Sequence, residues 1–181
     1  MAWFEVETKI KIKNPYEARE KIKRIANFTK KETKKDFYFK INQQGYPHKA
    51  FRIRNDGKTY TVNFKKWIKN LWNKQIVVKQ EFEFKISNLD NFLELMTDLK
   101  FTKWLTKIKH SETYKNKRNT KVSIELNNVE KLGWFVEVEY LAKKHEIHKA
   151  KKEIIKTLKE LNIKQDNIDN TGYTKMLWKK K

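Results

Sequence analysis

Between Trp3 and Lys13 every second residue carries a charge: Glu5, Glu7, Lys9, Lys11 and Lys13 hold one parity, and Phe4, Val6, Thr8, Ile10 and Ile12 hold the other. Successive side chains of a strand point to opposite faces, so this period of two specifies a β-strand with one apolar and one ionic face. The alternation returns at Asp36/Tyr38/Lys40, Arg52/Arg54, Lys79/Glu81/Glu83, Lys107/Lys109 and Glu137/Glu139. Further strands are therefore expected over about 35–41, 49–54, 59–65, 76–86, 104–115, 120–127 and 134–141. For any one of them the ordinary arrangement is an antiparallel sheet with a solvated polar face. Eight strands are also the number that closes a small barrel. Such a barrel could hold its apolar face inside, or turn it outward under covering helices and enclose the ions. Periodicity permits both.

Asn14-Pro15 reads as N-cap and first turn of a helix over about 15–27, with Tyr16, Ala18, Ile22, Ile25 and Ala26 as its stripe. Further helices are expected over about 88–99 and 146–161, with a short element from Tyr173 to Trp178. Gln44-Gly45-Tyr46-Pro47 and Asn55-Asp56-Gly57 are turn signals. No linker or repeat interrupts the pattern, so residues 1–181 are expected to form one α+β domain.

The net charge of +21 calls for an anionic partner: nucleic acid, a membrane surface or a phosphorylated small molecule. Arginine narrows the search. Lysine supplies nearly all of the 43 basic residues, yet two of the five arginines fall together in Phe51-Arg52-Ile53-Arg54. Only the guanidinium fork recognises a phosphate bidentately. Cysteine is absent, which removes disulfides and thiolate metal sites. No signal-like or membrane-spanning apolar run is present, and a soluble, cytoplasmic protein with no membrane association is expected.

Glu5-Val6-Glu7-Thr8-Lys9 places two carboxylates side by side on one face of a strand, where they repel unless a hard divalent cation with oxygen ligands joins them. Lys9 follows on the same face. Taken alone, this pattern occurs on many exposed strands. No Gly-x-x-x-x-Gly-Lys loop and no Ser-His-Asp or Cys-His arrangement offers another chemistry. His145 and His148 read as a surface pair, the lysine runs 30–35, 149–152 and 179–181 as solvated surface, and most Trp and Phe as packing between barrel and helices.

In order along the chain stand Glu5-x-Glu7-x-Lys9, Asp36-Phe37-Tyr38-Phe39, Phe51-Arg52-Ile53-Arg54, Thr61-Val62-Asn63-Phe64-Lys65, Lys79-Gln80-Glu81-Phe82-Glu83, Lys107-Ile108-Lys109, Leu132-Gly133-Trp134-Phe135-Val136-Glu137-Val138-Glu139 and Gly172-Tyr173-Thr174-Lys175. This series resembles the CYTH superfamily, the triphosphate tunnel metalloenzymes, most closely its class IV adenylyl cyclases. The resemblance implies an α+β fold: an eight-stranded antiparallel β-barrel tunnel with a polar, charged interior, flanked by about three to five helices. It implies Mg2+ or Mn2+ as cofactor, held by Glu5, Glu7, Glu137 and Glu139. It implies ATP or another triphosphate as partner, bound by Lys9, Arg52, Arg54, Lys65, Lys79, Glu81, Lys109 and Tyr173, with Glu7, Lys65, Lys109 and Glu137 in catalytic roles. It also admits a homodimer.

Two positions depart from the family. Ser111 stands where an Arg is usual, and Asn127 stands at a metal-ligand Asp. Asn127 can still offer an amide oxygen, and Glu125, of the same parity, is a candidate for the missing carboxylate. The expected activity is conversion of ATP to cyclic AMP and pyrophosphate. The alternative is hydrolysis of thiamine triphosphate, inorganic triphosphate or a nucleoside triphosphate. A basic barrel that binds nucleic acid ranks behind both, since it gives no reason for paired carboxylates.

Overall fold

A computed structural model describes residues 3–41, 44–47, 50–55, 59–162 and 165–180. The Asp56-Gly57 turn signal and Lys181 of the terminal lysine run lie outside the described residues. The strands are β1 (Trp3–Lys11), β2 (Ala26–Ile41), β3 (Ala50–Asn55), β4 (Tyr60–Trp67), β5 (Val77–Ile86), β6 (Phe101–Asn116), β7 (Val122–Val129) and β8 (Gly133–Ala142). All pairings are antiparallel, and the order β1-β5-β4-β3-β2-β6-β7-β8 closes on itself as a barrel. The helices are α1 (Pro15–Ile25), α2 (Leu89–Asp98), α3 (Ile147–Glu160) and α4 (Tyr173–Trp178). None is long and apolar enough to cross a membrane.

The barrel is built with its apolar face outward. Val6 and Ile10 of β1, Ile124 and Leu126 of β7, and Val136 and Val138 of β8 are all 0–1% exposed. They pack with Ile22 of α1 and with Ile147, Ala150, Ile154 and Leu158 of α3 in one apolar cluster. Around Ile53 and Val62 of the β3–β4 outer face, Leu89, Phe92 and Leu93 of α2 form a second. Tyr173 and Leu177 of α4 meet Leu105, Val129, Leu132 and Phe135 in a third. The first two clusters therefore lie on the outside of the sheet; the third, whose Leu105, Val129 and Phe135 share parity with Lys107, Asn127 and Glu137, closes the α4 end of the barrel, and the rest of that parity lines the lumen.

Local signals set the boundaries. The Asn14 side chain accepts from the Tyr16 and Glu17 amides at 3.1 and 3.2 Å, and Asn88 caps α2 through the Asn91 amide at 2.9 Å. Gly133, at φ +89°, turns β7 tightly into β8 and sets the register Glu125↔Glu137 and Asn127↔Phe135.

One boundary differs from the sequence expectation. The helix ends at Ile25 rather than near residue 27, and β2 runs from Ala26 rather than from about 35. Ala26 is already extended, at φ −142° and ψ 150°. Residues 26–41 pair with the equally long β6, from Ala26↔Asn116 to Ile41↔Phe101. The lysine run 30–35 is thus strand. Its alternate residues have opposite fates, because pairing with a neighbour dictates structure where local propensity is weak.

Because the main core lies between sheet and α3, Ile154→Ala is expected to destabilise the protein by about 2–5 kcal/mol in urea denaturation. The same substitution is expected to leave the ionic residues of the lumen in place.

Candidate active site: an ionic tunnel

The lumen opens a cavity of about 630 Å3 lined by side chains from all eight strands and from the segment before α4. Its charges fall into three groups, each joining distant parts of the chain.

In the first group, Glu5 and Glu7 of β1 and Glu139 of β8 bring carboxylate oxygens within 4.8 Å of one another. The register places Glu7 directly opposite Glu139, and Glu5 opposite Lys79. Lys65 of β4 bonds Glu5 at 2.5 Å, and Lys79 of β5 bonds Glu7 and approaches Glu5 at 3.8 Å. Burial acts to raise the Glu5 carboxyl, but the Lys65 and Lys79 ammonium groups outweigh it and hold it well below the usual range. Burial acts against the Lys65 charge too, and Glu5 overrides it, keeping Lys65 protonated. Glu7 is raised by burial. Lys79 opposes that rise, and the Glu5 and Glu137 charges add to it. Glu139 makes no ion pair or hydrogen bond among the described residues. Burial, then the Glu5 and Glu7 charges, push it well above the ordinary carboxyl value.

In the second group, Asp36 of β2 is 0% exposed and gathers three cations. Arg54 donates to it through Nε and Nη2 at 2.7 and 3.1 Å, Arg52 through Nη1 at 3.3 Å, and Lys107 of β6 lies at 2.9 Å. Burial opposes the Asp36 charge, and the Lys107, Arg52 and Arg54 charges overcome it, leaving the carboxyl well below its usual range. Glu81 of β5 links this group to the first, at 3.4 Å from both Arg52 and Lys65, and accepts from Asn63.

In the third group, Lys109 of β6 bonds Glu125 of β7 at 2.6 Å and Glu137 of β8 at 3.2 Å, and Lys34 of β2 reaches Glu125 at 3.2 Å. The Asn127 amide donates to both carboxylates, at 3.2 Å to Glu125 and 2.9 Å to Glu137. Burial works to raise Glu125 and Glu137, and Lys109 keeps both low.

Lys9 stands at the α4 end, over the Tyr173 ring at 4.2 Å, with its ammonium donating to the Thr171 carbonyl. Burial lowers its pKa, against the Glu137 and Glu7 charges. Its backbone fastens the segment that leads into α4: the Lys9 amide donates to Asn170 Oδ1 at 3.0 Å, and the Asp169 amide to the Lys9 carbonyl at 2.8 Å. Tyr173 is thereby delivered to the lumen, where burial and the Glu137 charge keep its phenol protonated.

Every residue singled out from the sequence as a site candidate faces this lumen or its wall, but they do not form one cluster. Glu5, Glu7 and Glu139 meet, whereas Glu125, Glu137 and Asn127 assemble around Lys109. Lys34, Asp36, Asn63 and Lys107 belong to the same network and were not among those candidates. Parity with Lys65 and Lys109 was the signal for Asn63 and Lys107. Lys34, expected on solvated surface, has a side chain only 13% exposed, because β2 extends beneath it as a lumen strand. Trp67 and Trp104 border the cavity rather than filling the space between barrel and helices, and Lys79 lies over the Trp67 ring at 4.9 Å. His145 and His148 are exposed, as expected.

The CYTH domain model matches residues 4–173. A Methanocaldococcus jannaschii protein named "Putative adenylate cyclase" is 30% identical over 176 residues, covering 95% of this chain and 97% of that one. A solved structure of a Pyrococcus horikoshii protein is 30% identical with a TM-score of 0.79, covering 98% of this chain and 99% of that one. A Hippeastrum protein, described as a putative adenylyl cyclase with a dominant triphosphatase activity, shares the fold at 15% identity and TM-score 0.64, covering 98% and 94%. An ionic lumen within an inverted eight-stranded barrel and a domain match spanning nearly all of the chain lead to one assignment: this chain belongs to the CYTH family.

Proposed function

We propose that the tunnel is a divalent-metal-dependent triphosphate site and that its reaction is the cyclisation of ATP. The observation that carries the reading is the Glu5–Glu7–Glu139 cluster sharing one enclosed lumen with Arg52, Arg54, Lys65, Lys107 and Lys109. Carboxylate oxygens this close suit a hard cation, and among the described residues Glu139 forms no ion pair. The donor set fits Mg2+ or Mn2+. Such an ion would neutralise charge on phosphate oxygens and acidify a bound hydroxyl.

The chain's own part is positioning. Guanidinium and ammonium groups fixed on different strands hold a triphosphate extended and need little rearrangement as charge builds on the leaving group. The ribose 3′-oxygen attacks the α-phosphorus. A new O–P bond forms, the bond from the α-phosphorus to the bridging oxygen breaks, pyrophosphate departs with that electron pair, and the hydroxyl proton is released. Tyr46, Trp67 and Trp104 at the cavity wall offer aromatic faces to the adenine. The Methanocaldococcus relative's name supports cyclisation. Hydrolysis is the second reading, because the same cations grip a polyphosphate whatever is attached to it. A nucleic-acid role finds less support: both arginines of the Arg52-Ile53-Arg54 pair, and Lys65 and Lys109, line the lumen rather than the outer surface that a duplex would meet.

Incubation with ATP, thiamine triphosphate and tripolyphosphate plus Mg2+ or Mn2+ separates the readings. Cyclic AMP and pyrophosphate are expected; inorganic phosphate instead would establish the hydrolase. Arg54→Ala is expected to weaken triphosphate affinity by about 1.5–3 kcal/mol in calorimetric titration, the scale of a charged hydrogen bond.

Glu139 makes the metal-free protein sensitive to pH. Its folded pKa lies above the ordinary 4.5, so the unfolded chain binds fewer protons in between. Its contribution to stability is complete below 4.5 and is lost as pH rises through the folded value. In EDTA, the Tm of wild type should therefore fall relative to that of Glu139→Gln as pH rises above 4.5, and Mn2+ should reverse the deficit in wild type only.

A further inference from the structure

The third charge group answers a question that the Asn127 and Ser111 departures raise. The two positions are paired directly across β6 and β7, Ser111↔Asn127. The cation and the carboxylate usual at these places are therefore lost together, and the local charge balance is unchanged.

Around them the polar atoms are arranged for an ammonium group. Lys109 Nζ and Asn127 Nδ2 address the same two oxygens, Glu125 Oε2 and Glu137 Oε2. Glu125 and Glu137 meet Lys109 and Lys34; Lys34 also bonds Glu32 at 3.0 Å, and Lys30 pairs with Glu32 at 2.8 Å, so three carboxylates meet three ammonium groups. A divalent ion placed there would have to displace both donors, and it would find no surplus negative charge. The first group is different: its three carboxylates meet two lysines.

The orientation of Asn127 is fixed by this chemistry. Flipping the amide would press its oxygen against two carboxylates. As it stands, Asn127 Oδ1 is buried without a hydrogen-bond partner, as is Ser111 Oγ across from it. Two hydrogen bonds to charged oxygens outweigh the cost of one bare acceptor. To join Glu125 and Glu137 around a metal, the amide would have to give up both.

Building on the metal reading above, we propose that Glu125, Asn127 and Glu137 form a seat for the Lys109 ammonium rather than a second metal site. The chain then holds one divalent ion, at Glu5, Glu7 and Glu139, and grips the other part of a triphosphate with Lys109. Asn127 is a positioning residue: its amide clasps the two carboxylates at the spacing Lys109 requires. Activation of the nucleophile by a second protein-held ion has no place in this lumen, so one ion and the cation array share that work.

The test is the number of Mn2+ ions bound per chain without substrate, read by electron paramagnetic resonance and calorimetry on the full chain. One ion is expected for wild type, Glu125→Gln and Glu137→Gln, and none for Glu139→Gln. Asn127→Asp removes both amide donors and sets a third carboxylate beside Glu125 and Glu137, so it is expected to bind two. Two ions on wild type, with one lost in Glu125→Gln or Glu137→Gln, would overturn the seat while leaving the metal-dependent function standing. No ion on wild type would overturn both. A folded Asn127→Asp variant that still binds one would remove Asn127 as the determinant. If that variant does not fold, by its thermal melt, the two glutamine variants decide.

Discussion

Mutual neutralisation of charges delivered by different strands is the interaction on which this structure rests. An isolated carboxylate or ammonium group in a barrel interior would lose its hydration at a cost of several kcal/mol, and most lumen charges here, Glu139 and Lys9 apart, escape that by meeting an opposite charge. Glu5 needs β4, Glu7 needs β5, Asp36 needs β3 and β6, and Glu137 needs β6. The ionic lattice therefore has no local solution. It forms only when the sheet closes in the correct register, since a slip of one residue would turn the ionic parity outward and the opposite parity into the lumen. Replacing one partner would leave the other buried and unpaired, which makes the lumen intolerant of piecemeal change.

The inverted arrangement follows from the same fact. With charges inside, the apolar parity must be covered from without, and α1, α2 and α3 supply that cover. Stability and chemistry are thereby placed on opposite faces of one sheet. Val6 and Val138 carry the packing, while their neighbours Glu5, Glu7, Glu137 and Glu139 carry the charge. The lumen can change a residue such as Ser111 or Asn127 without opening a cavity in the core.

Much of this could be read from the residues. The alternation in Trp3–Lys13 identified β1, and the ordered motifs identified the barrel and most lumen residues. Periodicity could not say which parity faces inward, because a strand has the same pattern whether its ionic side meets solvent or a tunnel. The early start of β2 was hidden because Lys30-Lys31-Glu32-Thr33-Lys34-Lys35 has no apolar face to report a period. Its order comes from pairing with β6. Lys34 was missed for the same reason. Asp36 was seen on the charged parity, but only the approach of β3 and β6 shows that it organises three cations. The division of the carboxylates into two groups depends on the β7–β8 register and on a single amide, neither of which spacing reveals.

Strand β1 lies between β5 and β8, so the barrel cannot close until β8 has been synthesised. Contacts this far apart in sequence make for slow assembly, and the nascent chain must carry an unpaired edge through that delay. The glutamates and lysines that later serve the lumen stud that edge throughout, and such charges discourage one chain from zipping onto another. The residues whose charges line the finished lumen would thus first guard the nascent chain against aggregation on the ribosome.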